Sequence, residues 1–115
     1  HQAFFERFGQ EILIIQAHPF RDFDAKGEDI YSDCIHGVEI INCNKRHDNQ
    51  NWKARELCEK IPRLYRLCGS DTHRPGDEAR AAIVFKHRIH DSYAYKAAVE
   101  SEEYELRGCA EPSLT

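Results

Sequence analysis

Two apolar runs in this chain stop abruptly, and each stops at residues that can hold a cation. The first, Ile12-Leu13-Ile14-Ile15, passes through Gln16-Ala17 to His18-Pro19. The second, Leu64-Tyr65-Arg66-Leu67-Cys68, meets Gly69 and then Ser70-Asp71-Thr72-His73. Proline has no N–H to give a sheet and cannot continue a central strand. An unbroken aliphatic run such as Ile12–Ile15 predicts a strand buried on both faces, as in parallel sheets. His18 then stands at the tip of one strand, and Asp71 and His73 at the tip of another. Residues two apart in extended backbone point to the same side, so Asp71 and His73 can face one ion or one substrate. In α/β folds, ligands bind at the C-terminal edge of parallel strands. Two imidazoles and a carboxylate on that edge make a metal-site hypothesis. Taken alone, the second run is explained as well by an ordinary strand end with Ser70 and Asp71 as turn residues. The pairing of the two ends carries the hypothesis.

The rest of the chain supplies the elements between them. Ala3, Phe4, Phe5 and Phe8 predict the end of a helix stopped by Gly9. A strand over Ile12–Ala17 leads to a polar loop from Phe20 to Tyr31, with a helical turn near Glu28. A strand over Val38–Asn42 follows Gly37. Asp48 or Asn49 caps a helix that runs to Ile61, where Pro62 ends it. After the strand before Gly69 comes a turn at Arg74-Pro75-Gly76-Asp77, then a strand candidate at Ala81–Phe85. Asp91 or Ser92 caps a last helix, Tyr93–Glu102. Residues 108–115 read as a loose tail. Helices between buried strands predict one α/β domain over residues 1–107, with about four mainly parallel strands.

Composition narrows the function classes. The chain has 115 residues, enough for one small domain with a modest core. At 41% hydrophobic and 31% charged it is globular and not disordered. A net charge of -4 and the lack of a basic stripe interleaved with aromatics argue against nucleic-acid binding. No apolar run is long enough to cross a membrane. Five cysteines, an odd number without C-x-x-C spacing, predict free buried thiols in a reducing cytoplasm. The chain begins at His1 and contains no methionine, which suggests a mature product, a trimmed form or a fragment.

Four blocks together resemble a known family. Ala17-His18-Pro19-Phe20-Arg21, His36-Gly37-Val38-Glu39-Ile40-Ile41-Asn42, Asn51-x-x-Ala54 and Gly69-Ser70-Asp71-Thr72-His73 look like the later motifs of the PHP (polymerase and histidinol phosphatase) family, in family order and spacing. The resemblance covers roughly residues 10 to 107. It implies the C-terminal half of a distorted (β/α)7 barrel whose strand ends hold divalent metal ions (Mn, Fe, Zn or Mg), with a phosphorylated small molecule as substrate. The implied reaction is hydrolysis of a phosphate ester by a metal-bound hydroxide. His18, Asp71 and His73 match metal ligands, and Arg21 matches a phosphate-facing arginine. The family's early H-x-H motif and its intermediate ligands have no counterpart here. The resemblance therefore implies a half-built site and an open barrel, with a missing N-terminal half or a second copy as its partner. The alternative is a PHP-like module with a structural or interaction role and no catalysis.

Other residues are read from their positions. Glu39 lies mid-strand and needs a buried partner, for which a structural salt bridge is expected. Asn42, at a strand tip, is expected to hold a loop or to brace a metal ligand. Arg46 and His47 fall in a solvated loop. His36, His87 and His90 default to packing or surface roles.

Overall fold

The computed structural model describes residues 1–23 and 32–109. The predicted helical turn near Glu28 and most of the predicted tail lie outside them. The elements are α1 (Gln2–Phe8), β1 (Ile15–Gln16), β2 (Gly37–Asn42), α2 (Asn51–Lys60), β3 (Tyr65–Gly69), β4 (Ala81–Phe85), α3 (Ser92–Ser101) and β5 (Tyr104–Gly108). Single 3₁₀ turns stand at Arg21–Phe23 and Ser32–Cys34.

The fold is α/β, as the sequence predicts, built on two sheets. β1, β2 and β3 form a parallel sheet in that order, and β4 pairs antiparallel with β5. β2 is the central strand because its side chains are apolar on both faces: Val38, Ile40 and Ile41 are all buried. Ala54 and Cys58 of α2 and Leu64 before β3 complete the core against it. Gly37 lets β3 approach, since a Cβ there would lie 2.5 Å from the Tyr65 carbonyl oxygen.

Four expectations are corrected. The fourth strand does not join the parallel sheet. β4 turns instead to β5, the strand that the sequence reading left inside the C-terminal ending. This pair packs on β3 through Tyr104, whose hydroxyl donates to the Arg66 carbonyl at 2.9 Å, and through Ser70, whose Oγ accepts from Ala81 N–H at 2.9 Å. Among the described residues neither sheet closes into a barrel. The strand expected over Ile12–Ala17 contracts to two residues, and Ile12–Ile15 are half-buried, because β1 has a neighbour on one side only. Neither Asp48 nor Asn49 caps α2. The N-cap is Gln50 in a left-handed conformation (φ 48°), and both candidate caps bond elsewhere. α3 does begin as expected, with Asp91 Oδ1 accepting from Ala94 N–H at 2.7 Å.

The fourth correction concerns the cysteines. Cys43, just after β2, is disulfide-bonded to Cys109, just after β5, and both are buried. Cys34, Cys58 and Cys68 are free. Burial pushes the Cys58 and Cys68 thiols up, which makes them poor nucleophiles. The cytoplasmic expectation rested on five free thiols, and two of the five are paired. No helix among the described residues is long and apolar enough to cross a membrane.

Candidate functional site

The three parallel strands end along one edge, and that edge collects the residues singled out in the sequence. His18 follows β1 by two residues, Asn42 ends β2, and Asp71 follows β3 by two residues. Since β2 lies between the other two strands, its side chains are placed to link both tips.

Glu39 and Asn42 make that link. Glu39 Oε2 accepts from the His18 backbone N–H at 2.8 Å and from Asn42 Nδ2 at 2.9 Å. Asn42 Nδ2 also reaches Asp71 Oδ2 at 3.3 Å. Glu39 thus finds amide donors where a salt bridge was expected. These bonds hold an unusual backbone: His18 and Asp71 have φ of 28° and 54°, values rarely adopted by residues other than glycine. Such strain costs about 1–3 kcal/mol per residue and persists only where surrounding contacts enforce it. At His18 the following proline adds its own penalty.

Asparagines extend the network. Asn42 Oδ1 accepts from Asn44 N–H at 2.9 Å, and Asn44 Oδ1 accepts from Arg46 N–H at 3.0 Å. These successive Asx turns carry the chain away from β2. Asn44 Nδ2 lies 3.4 Å from Asp71 Oδ2. Asn51 pairs with the Asn42 backbone, accepting from its N–H at 3.1 Å and donating to its carbonyl at 3.2 Å. Asn49 donates to the Asn42 and Asn44 carbonyls.

Arg21 crosses the edge to meet Asp71. Its Nη2 forms an ion pair with Asp71 Oδ2, its Nε donates to Asn49 Oδ1 at 2.9 Å, and the paired side chains are each 17% exposed. Burial alone would push the Asp71 carboxyl up. The hydrogen bonds from Arg21, Asn42 and Asn44 outweigh it and hold the group below the ordinary carboxylate range.

His73 is the most exposed member, its side chain 62% accessible. Its Nδ1 lies 2.9 Å from the Asp71 carbonyl and 3.3 Å from Asp71 Oδ1. Both oxygens only accept, so Nδ1 is the donor in these contacts. The His73 backbone is held by Asp77, whose Oδ2 accepts from His73 N–H (3.1 Å) and Arg74 N–H (3.0 Å). Arg46 grips the same carboxylate at 2.5 and 3.3 Å. Its side-chain hydrogen bond, more than any other influence, holds the Asp77 carboxyl far below its ordinary value.

The donor set fits a divalent ion in kind, with imidazole nitrogen and carboxylate oxygen on one edge. It does not close a site in number. Among the described residues no group of three or more His, Cys, Asp or Glu side chains is arranged to hold a metal ion. An open cleft of about 440 Å³ adjoins the asparagine layer, lined by Asn42, Asn44, Asn49, Trp52 and Arg55 among others.

The sequence reading did not anticipate Asn44, Asn49 or Asp77. The Asn42-x-Asn44 spacing is an Asx-turn signal that could have found the first. His47 pairs with Asp22 at 2.7 Å, and His36 is a packing tie, its Nδ1 accepting from Ile14 N–H at 2.9 Å and its Nε2 lying 2.6 Å from the Gly9 carbonyl. Comparison with protein-family models, with curated proteins and with solved structures found no match.

Proposed function

We propose that this chain carries part of the active site of a PHP-type phosphoesterase, a hydrolase of phosphate esters. In this reading His18, Asp71 and His73 contribute to a divalent-metal site. The remaining ligands come from another segment or another copy, and the parallel sheet is a portion of the distorted barrel. The observation that carries the reading is the convergence of three separate sequence blocks, through Glu39 and Asn42, on one strand edge. A bound metal would supply an activated water and charge stabilisation at the phosphoryl group. The chain's own residues orient the donors: Asp71 holds the His73 ring, and Asn42 and Asn44 hold Asp71. Arg21 offers a planar fork suited to phosphoryl oxygens.

The test is metal content after purification with manganese, iron and zinc supplied, compared with an Asp71→Ala/His73→Ala variant. Release of phosphate from a nitrophenyl phosphate is then measured. Metal present in the first protein and lost from the second supports the reading; no metal in either, alone and with a supplied partner segment, overturns it. The second reading, a PHP-like module without catalysis, draws on the incomplete donor group. Metal bound without any turnover, even with a supplied partner segment, favours that one.

A further inference from the structure

We propose that the cleft beside α2 binds a small organic oxyanion carried on a planar ring, with Arg55 meeting the oxyanion and Trp52 the ring. The site needs no metal and stands apart from the phosphoesterase reading.

Arg55 gives the reason to expect an anion. Among the described residues, its Nη1 is the one solvent-excluded side-chain nitrogen or oxygen that has no hydrogen-bond partner. A guanidinium nitrogen left in that state is unfavourable, and a charge-assisted bond to an oxyanion would offset the cost. An arginine with a structural task would bond this nitrogen to a carboxylate or a carbonyl. The wall around it agrees in sign. Lys45 and Arg55 stand there against one acid, Asp48, whose Oδ1 accepts from Gln50 N–H at 3.3 Å.

Trp52 gives the reason to expect a ring. It precedes Arg55 by three residues on α2, so the two side chains share a helix face. Both line the cleft, and Trp52 is 53% exposed. Lys53 Nζ lies 5.5 Å from the Trp52 ring centroid, a further cation beside the site. The rest of the wall is fixed in place. Asn49 and Asn51 donate to the Asn42 carbonyl and Gln50 Nε2 to the Phe20 carbonyl, so these amides hold the loop. Arg55 is then the wall group with a bond to give. Its stem is long and flexible, and turning the guanidinium toward the cleft breaks no bond at Nη1. A volume of about 440 Å³ suits one ring with its acid group.

Trp52 is the single tryptophan of the chain, so its fluorescence reports on this cleft. The experiment titrates the full chain with phenyl phosphate and with benzoate, in EDTA so that no metal takes part, with excitation where both acids are transparent. Either acid should change the emission saturably, and the tighter of the two identifies the anionic group as phosphate or carboxylate. Inorganic phosphate and acetate, which lack the ring, should bind about tenfold more weakly. Arg55→Gln should weaken binding of the ring acids by about ten- to a hundredfold. No response to either ring acid overturns the proposal. So does a folded Arg55→Gln protein that binds them as the wild type does. If that variant does not fold, the wild type alone decides: inorganic phosphate bound as tightly as phenyl phosphate, or acetate as tightly as benzoate, overturns the proposal. None of these outcomes depends on metal at Asp71, so the phosphoesterase reading stands or falls separately.

Discussion

A Cβ placed on Gly69 would lie 2.6 Å from Oε1 of Glu39. The glycine that ends β3 thus leaves room for the carboxylate that braces the other two strands. Gly69→Ala should displace Glu39, break its bonds to His18 N–H and Asn42, and destabilise the fold by about 1–3 kcal/mol. Urea unfolding measures the loss. In a Glu39→Ala background the same substitution should cost much less; an undiminished cost would place the clash elsewhere.

The Cys43–Cys109 bond closes a loop with a sequence separation of 66. A cross-link of that span restricts the unfolded chain by about 4 kcal/mol. Cys109→Ser should lower the unfolding free energy by that order. Thiol titration of the unreduced, denatured chain should count the three free cysteines. Five reactive thiols there would show that the bond does not form.

Acid should loosen the loop that carries His73. The Asp77 carboxyl is held below its ordinary value of 3.8 by Arg46 first, then by the His73 backbone N–H. A depressed carboxyl contributes stability above its unfolded value and loses it as pH falls through the folded one. The contribution is therefore full above about pH 5 and declines below about pH 4. Thermal unfolding of Asp77→Asn should show a shallower acid slope than the wild type between about pH 5 and pH 2. Parallel slopes would assign the acid sensitivity to other groups.

At the alkaline end, burial and then the nearby Glu102 push Tyr104 up to about 12. Its neutral hydroxyl, bonded to the Arg66 carbonyl, ties β5 to β3. A raised pKa stabilises the fold fully below the unfolded value near pH 10 and loses that contribution as pH rises through the folded value. Ultraviolet titration should show a late phenolate step near pH 12 that is absent from Tyr104→Phe. An unchanged late step would assign it to another of the five tyrosines.

Much of this architecture is legible along the chain. Val38, Ile40 and Ile41 mark a strand by composition and period, but the same reasoning predicts burial on both faces for Ile12–Ile15, and β1 is a half-buried edge strand. Pro62, Gly69 and Asp91 mark boundaries through local chemistry: a missing N–H, a missing side chain and a capping carboxylate. The candidate residues His18, Asp71 and His73 are visible because each follows such a boundary.

Where β4 goes is not legible in this way. Ala81–Phe85 suits a parallel or an antiparallel neighbour, and β5 decides between them by pairing from the far side of α3. The caps of α2 fail for a related reason. Asp48 and Asn49 are competent by type, but Asn49 is drawn to the buried Asn42 and Asn44 carbonyls at and just after the end of β2.

The sequence by itself determined the α/β class, a strand at Val38–Asn42 and the two strand ends that bear ionisable groups, because these depend on neighbours a few residues apart. Tertiary structure alone decided the pairing of Glu39 with His18, of Arg21 with Asp71 and of Cys43 with Cys109. These partners lie 21, 50 and 66 residues apart. Pairing of β1 and β3 on either side of β2 brings the first two pairs together, and packing of the β4–β5 pair against β3 brings the third.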